Sequence, residues 1–373
     1  MKKSRNQIID LIKGLGILLL VAAHAAVPAG STISMFHMAI FFIASGYCIR
    51  EAHSDTIGNA MKFIIKRTQR LYIPFVVWNV SLLCCKNIFI KINIYTNNPG
   101  FLEGIPGNAY GLTESLNAQT FFHSLVNILL FQGEQQLEGA SWFLRAMFSA
   151  SVFFILCDYL LKKISTKHIF LLRWIFAIVF LIIGNAIGNN HITLKLNFHS
   201  VFSIYFLFVV GMYFRNIGLL NDKKDVLFNM LLLLSCSTIL ISLNGMVSVN
   251  LNSSVFSSVP LFILVSILGW FFLWSLSTLI THVQYISTFF SFCGHHTMSI
   301  LMMHFLSFKL VTLLQIYLYG YPPYALASFP CLLTTQPWCY IYTAVGLIVP
   351  LLVTWLWIKI KVKLFCKVKT TLN

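Results

Sequence analysis

Apolar residues run through this chain in blocks too long for strands and too unbroken for amphipathic surface helices. Ten blocks fall at about 7–29, 33–50, 72–94, 142–161, 168–189, 198–214, 226–246, 259–281, 296–318 and 339–360. Most approach the ~20 residues that a helix needs to cross the hydrocarbon core of a bilayer. The pattern predicts an all-α fold, a polytopic membrane helix bundle of about ten transmembrane helices. The third block is the least uniform, because Lys86 and Lys91 interrupt it.

Three stretches between the blocks carry their own signals. TIGNAMKFIIKRTQRLYIP (56–74) mixes basic and apolar residues at helical spacing. It predicts an amphipathic surface helix that ends where Pro74 opens the third span. The longest polar stretch, about Thr96 to Ser141, begins with TNNPGFLEGIPGNAYGLTESLN, rich in turn formers and read as a loop. It then contains FHSLVNILLF (122–131), too short to span and either interfacial or re-entrant.

Composition narrows the class. Hydrophobic residues make up 58% of the chain and charged residues 10%, which excludes a soluble domain of this length. No shift in composition marks a second unit, so residues 1–373 read as one integral-membrane domain. The loops are too short to hide a soluble catalytic domain, and any chemistry belongs inside the bundle or at its mouths. The first block is too long and too polar for a cleaved signal peptide.

The formal net charge of +16 is distributed as a topology signal. Lys2, Lys3 and Arg5 precede the first span, and Arg50, Lys62, Lys66, Arg67 and Arg70 separate the second from the third. Lys162, Lys163 and Lys167 follow the fourth, and Arg215, Lys223 and Lys224 follow the sixth. Lys359, Lys361, Lys363, Lys367 and Lys369 form a basic tail from about residue 360. With ten spans these fall on one side, so the positive-inside rule puts both termini in the cytoplasm of a plasma (bacterial inner) membrane. Membrane lipids are then the expected partners of these charges, and no nucleic acid is implied.

The nine cysteines include no CxxC pair and no His/Cys cluster at zinc spacing, so no metal site is expected. Cys331 and Cys339 fall in or beside the outer loop before the last span, where a disulfide is expected.

Ionisable groups inside the apolar blocks are the candidates for chemistry, since such groups are expensive there and face cavities or pathways. Lys13 and His24 lie eleven positions apart in the first block. At 100° per residue they share one face to within about 20°, displaced by about 16 Å. His24 and His37 are equidistant from the turn around Pro28–Thr32, so an antiparallel hairpin sets both imidazoles at one depth. The bland alternative is a pair of interfacial histidines bonded to carbonyls. Asp10, three before Lys13, is placed to pair with it. Ser45-Gly46 allows a polar opening in the second span, and Lys66, Arg67 and Arg70 form a basic group suited to lipid headgroups or to an anionic ligand. Trp142 and Arg145 open the fourth span, Arg145 either snorkelling or facing the cavity. In GHHTMSILMMH, His304 lies about 15 Å along a helix from Gly294, near mid-membrane. Asp158 is the only other acid clearly inside a span, which leaves a carboxylate-relay pump without support.

Taken in order, Lys13-x10-His24, FHMAIFFIASGY, KRTQRLYIP, SWFL and GHHTMSILMMH resemble the integral-membrane acyltransferase 3 family over nearly the whole chain. The resemblance implies about ten helices and transfer of acyl groups, commonly acetyl from acetyl-CoA, to sugars of surface polysaccharides or lipid-linked glycans. Position by position, it implies roles for Lys13 and His24 (basic-x10-His), His37, Arg67 and Arg70, and His304. Ala39 departs from the family's usual proline, and His295, His296 and Thr297 depart at the entrance of the ninth span. With no hydrolase-type domain after the bundle, the chain resembles the stand-alone members.

On this reading His24, His37 and His304 are the catalytic candidates. His24 is base or transient acyl carrier, His37 orients His24 or the acceptor, and His304 stabilises the thioester oxygen or holds the donor. Lys13, Arg67 and Arg70 bind the donor, with Asp10, Ser45, Trp142 and Arg145 accessory. Acyl-CoA is the donor substrate, a carbohydrate or lipid-linked glycan the acceptor, and no bound cofactor is expected. The rival reading is a transporter exporting a glycan or lipid intermediate, against which stands the absence of clear inverted repeats.

Overall fold

The computed structural model describes residues 6–103, 105–106, 111–132, 136–192, 194–219 and 225–370, without the side chains of Glu138 and of residues after Lys361. Lys2, Lys3, Arg5, Lys223 and Lys224 lie outside the described residues, as do the side chains of Lys363, Lys367 and Lys369. The chain forms α1 (Gln7–His24), α2 (Gly30–Ser34), α3 (His37–Cys48), α4 (Ile57–Arg67), α5 (Ile73–Lys91), α6 (Ala118–Leu129) and α7 (Trp142–Ile164). It continues with α8 (Ile169–Asn189), α9 (Phe198–Asn216), α10 (Val226–Ser242), α11 (Val259–Ile280), α12 (Gln284–His295), α13 (Thr297–Tyr319) and α14 (Trp338–Thr370). Among the described residues the only sheet is the antiparallel pair β1 (Val249–Asn250) and β2 (Val255–Phe256). The protein is an all-α polytopic bundle.

Nine segments among the described residues are long and apolar enough to cross a membrane, and α10, of 17 residues, is a tenth apolar helix. Local chemistry sets the ends. The Asn6 side chain accepts from the Ile8 amide at the start of α1, Thr56 caps α4 and Asn117 caps α6, each occupying an otherwise orphaned donor.

Two expectations change. Pro74 does not separate the amphipathic helix from the third span. A π-helical turn, Thr68–Tyr72, joins α4 to α5, and Pro74 sits at the opening of α5. The wider turn absorbs the missing proline N–H without breaking the axis. The basic tail is not a separate extension either, since α14 runs on to Thr370 and lays Lys359 over the Trp355 ring at 3.6 Å. The 122–131 segment forms α6, a short helix with Phe122, Val126 and Leu129 exposed, as an interfacial helix requires.

α1 is the hub. It packs against α3, α11, α12, α13 and α14, and is the helix whose register places the candidate residues. Two crossings depend on glycine. A Cβ on Gly14 would meet the Phe290 carbonyl and one on Gly294 the Asp10 carbonyl, locking α1 to α12 at backbone distance. Gly46 and Gly211 do the same between α3 and α9. Small residues at such contacts allow the van der Waals packing that drives association of helices in lipid.

Candidate functional site: two cavities along one face of a helix

His24 is the last residue of α1, and its Nδ1 lies 2.9 Å from Nε2 of His304, 280 positions later in the chain. The ring planes differ by 11° with centroids 5.1 Å apart. That is the geometry of two imidazoles edge to edge in nearly one plane, as an in-line N–H···N bond requires. Nδ1 of His304 is itself 3.1 and 2.9 Å from the carbonyls of Ile300 and Leu301.

The partners assign the protons. A carbonyl only accepts, so His304 carries its hydrogen on Nδ1, and in the neutral pair its Nε2 is a lone pair. That lone pair takes the hydrogen of His24 Nδ1. The remaining nitrogen of His24, Nε2, is left unprotonated, a base aimed away from the pair. A second nitrogen ties down the tautomer of the first, as when a backbone carbonyl orients a metal-bound or catalytic imidazole.

His24 lines a cavity of about 380 Å³, together with His37, Leu20, Ser34, Met38, Trp142 and the β1 residues Val249 and Asn250. His37 Nδ1 donates to the Ile33 carbonyl at 3.0 Å, which leaves its Nε2 as a second lone pair at this imidazole cavity. The hairpin arithmetic is therefore met in that both rings reach one space, but the hydrogen-bonded neighbour of His24 is His304. His304 is fully buried and lines none of the three cavities described here. With both nitrogens engaged it holds His24.

Below this space a second cavity of about 530 Å³ carries the basic residues. Lys13, Arg50, Lys66, Arg67 and Arg70 line it, with Ser45, His53 and His295, and among the described residues no carboxylate does. Arg67 Nη2 donates to Ser45 Oγ at 2.9 Å and its guanidinium lies 5.0 Å from the centroid of the Phe63 ring. Asp10 is not the partner of Lys13. Its carboxylate lies 3.5 Å from His295 Nε2, because three residues of helix turn Asp10 toward α12 while Lys13 turns into the cavity.

Arg145 reaches neither cavity. It is buried, and Nη1 donates to the carbonyls of Phe131 and Gln132 at 3.5 and 3.3 Å, closing the turn after α6. Trp142, three residues before it, does line the imidazole cavity.

A loop seals the far side of His24. The segment 321–337 is fastened by Lys309, whose Nζ donates to the carbonyls of Leu326 and Ser328 at 3.0 and 2.7 Å. Gln315 exchanges bonds of 3.0 and 3.2 Å with Leu333. Cys331 and Cys339 are both buried free thiols, so the expected disulfide is absent. Cys331 Sγ is instead turned to the His24 carbonyl, 3.8 Å away. Lys309 was legible as a cation inside an apolar run, but only the packed loop shows what it holds. A third, shallower space of about 350 Å³ runs from His24 under this loop to Pro106 and Thr335.

A polytopic helical bundle with a basic cavity next to an imidazole cavity, the latter lined by a tautomer-fixed histidine, suits a membrane-embedded acyltransferase. The model of the acyltransferase domain matches residues 6–355, nearly the whole chain, and the protein belongs to that family. No curated protein and no solved structure matches the chain.

Proposed function

We propose that this chain is a membrane O-acyltransferase that moves an acyl group, acetyl being the simplest case, from acyl-CoA to a hydroxyl of a cell-surface or lipid-linked glycan. The observation that carries this reading is the free Nε2 of His24, fixed by His304, at a cavity whose neighbour is lined by five cations and, among the described residues, by no carboxylate. Acyl-CoA is a thioester carrying several phosphate charges. Arg67, Arg70 and Lys13 supply the charge-assisted donors such phosphates require. The imidazole cavity offers small polar groups, Ser34 and Asn250, and the face of Trp142, which suit a sugar rather than an aliphatic acceptor.

The step balances within these groups. His24 Nε2 takes the proton of the acceptor hydroxyl as its oxygen attacks the thioester carbon. The carbon–sulfur bond breaks, the thiolate of CoA leaves, and the proton held by His24 passes to that sulfur. An ester and free CoA thiol are the products. His304 stabilises the imidazolium through the shared hydrogen, and His37, with its own lone pair, orients the acceptor. A plasma (bacterial inner) membrane location, with the basic cavity toward the cytoplasm, matches the side on which acyl-CoA is made.

Purified protein in lipid nanodiscs, given acetyl-CoA and a glycan extract, should release free thiol and gain ester on the glycan. His24→Ala should lower this rate by a factor on the order of 10²–10⁴ while the melting temperature holds. Undiminished turnover in that variant would overturn the assignment. His304→Ala should reduce kcat with little change in KM for the donor and move the acidic limb of the pH–rate profile, which a merely structural role would leave in place.

A further inference from the structure

The two cavities approach each other at one point on α1. Leu20 lines both, one helical turn before His24, and it is 2% exposed. The neighbouring helices divide at the same level. On α3, Ala39 borders the imidazole cavity and Phe41 the basic one; on α7, Trp142 and Phe143 divide likewise. Phe41 and Phe143 meet edge to face with centroids 5.6 Å apart. At Leu20 the partition is thus one side chain thick, with the Phe41–Phe143 pair on its basic-cavity side.

Its chemistry is one-sided. The cations line one cavity and His24 and His37 the other, and these three side chains carry no polar atom. Such a partition is a barrier to phosphates and to sugar hydroxyls, both of which would lose their hydrogen bonds in it. An acyl chain loses nothing there. We infer that Leu20, with Phe41 and Phe143, is the acyl-selecting element of this protein: it sets how long an acyl group on the thioester can reach His24. The inference rests on the acyl-CoA reading above and adds to it the residue that decides among donors. Leu20 is a specificity-determining residue here, with no part in proton transfer. Space filled by one Leu side chain admits a short acyl group beside it and rejects longer ones, and one methylene in such a pocket is worth about 10- to 200-fold in discrimination.

The test is a donor series, acetyl-, butyryl- and hexanoyl-CoA, with thiol release read as kcat/KM for each. Wild type should favour acetyl. Leu20→Ala should raise the butyryl-to-acetyl ratio by about tenfold or more, and Leu20→Trp should lose turnover of every donor while still binding CoA. A ratio unchanged in a folded Leu20→Ala protein would overturn the inference. If that variant does not fold, Leu20→Val and Phe143→Leu take its place under the same criterion. Absence of thiol release from every donor in wild type would refute the acyl-CoA reading itself; wild-type turnover with an unmoved ratio refutes only the selector.

Discussion

Two clusters of charge sit on the same side of this bundle, and they are opposites. In the first, Arg173 of α8 donates through Nε and Nη2 to Asp158 of α7 at 2.6 and 3.0 Å, and through Nη1 and Nη2 to Glu51 at 2.8 and 2.6 Å. Ser54 adds a bond of 2.5 Å to Asp158, and Lys162 reaches Asp55 at 2.8 Å and Glu51 at 3.1 Å. Every charge is answered, and the cluster fastens the α3–α4 connection to α7 and α8. In the second, the basic cavity, no carboxylate among the described residues answers Lys13, Lys66 or Arg70. The first cluster has spent its charge on the fold. The second keeps a positive potential facing an open space, the arrangement that attracts an anion.

The sharpest way to break this contrast is Asp158→Ala, which strips a fully buried carboxylate from the Arg173 guanidinium. The expected cost is about 3–5 kcal/mol of stability, read as a large fall in melting temperature in detergent. Next comes the double variant Lys13→Ala/Arg70→Ala. Each charge-assisted contact is worth about 1.5–3 kcal/mol, so losing both should raise KM for acyl-CoA by roughly two to four orders of magnitude while the melting temperature stays nearly constant. A stability loss comparable to that of Asp158→Ala would show that the cavity cations hold the fold rather than a ligand.

A smaller effect separates the clusters by pH. Burial alone would raise the Glu51 carboxyl, but bonds from Arg173 and Lys162 hold it down at about 2. A carboxyl held low in the folded chain adds stability that is full above the ordinary carboxylate pKa and is lost as pH falls toward 2. The wild-type advantage over Glu51→Gln should therefore be present at pH 6 and shrink below about pH 4.5. Glu51 is half exposed, so solvent screening keeps the difference modest. The smallest effect belongs to Lys66→Ala. Its exposed charge at the cavity rim should change donor KM by less than about threefold at physiological salt, where screening acts over about 8 Å.

The same contrast shows what could be read before folding. Lys13, Arg67 and Arg70 stood out because cations near apolar blocks are costly, and the structure does bring them to one cavity. Asp158 stood out as well, but its answering group, Arg173, sits in a run so apolar that it drew no notice. The span limits were legible to within several residues, except that α10 stops at Ser242 and Pro74 interrupts nothing. Arg145 was read as a cavity or interface residue because its position in sequence cannot reveal the two carbonyls that claim it. The depth of His304 is legible in the sequence, whereas its partner, His24, is not.

The sequence by itself determined that this chain is a bundle of membrane helices, and that His24 and Lys13 share a face of the first helix. These are consequences of local composition and of the fixed 100° step of an α-helix. Only the tertiary structure decided that His24 leans on His304, that Asp10 turns to His295, and that Leu20 stands between two cavities. Those choices depend on where one helix crosses another, at backbone contacts such as Gly14 on Phe290 and Gly294 on Asp10, and the spacing along one strand of sequence holds no record of them.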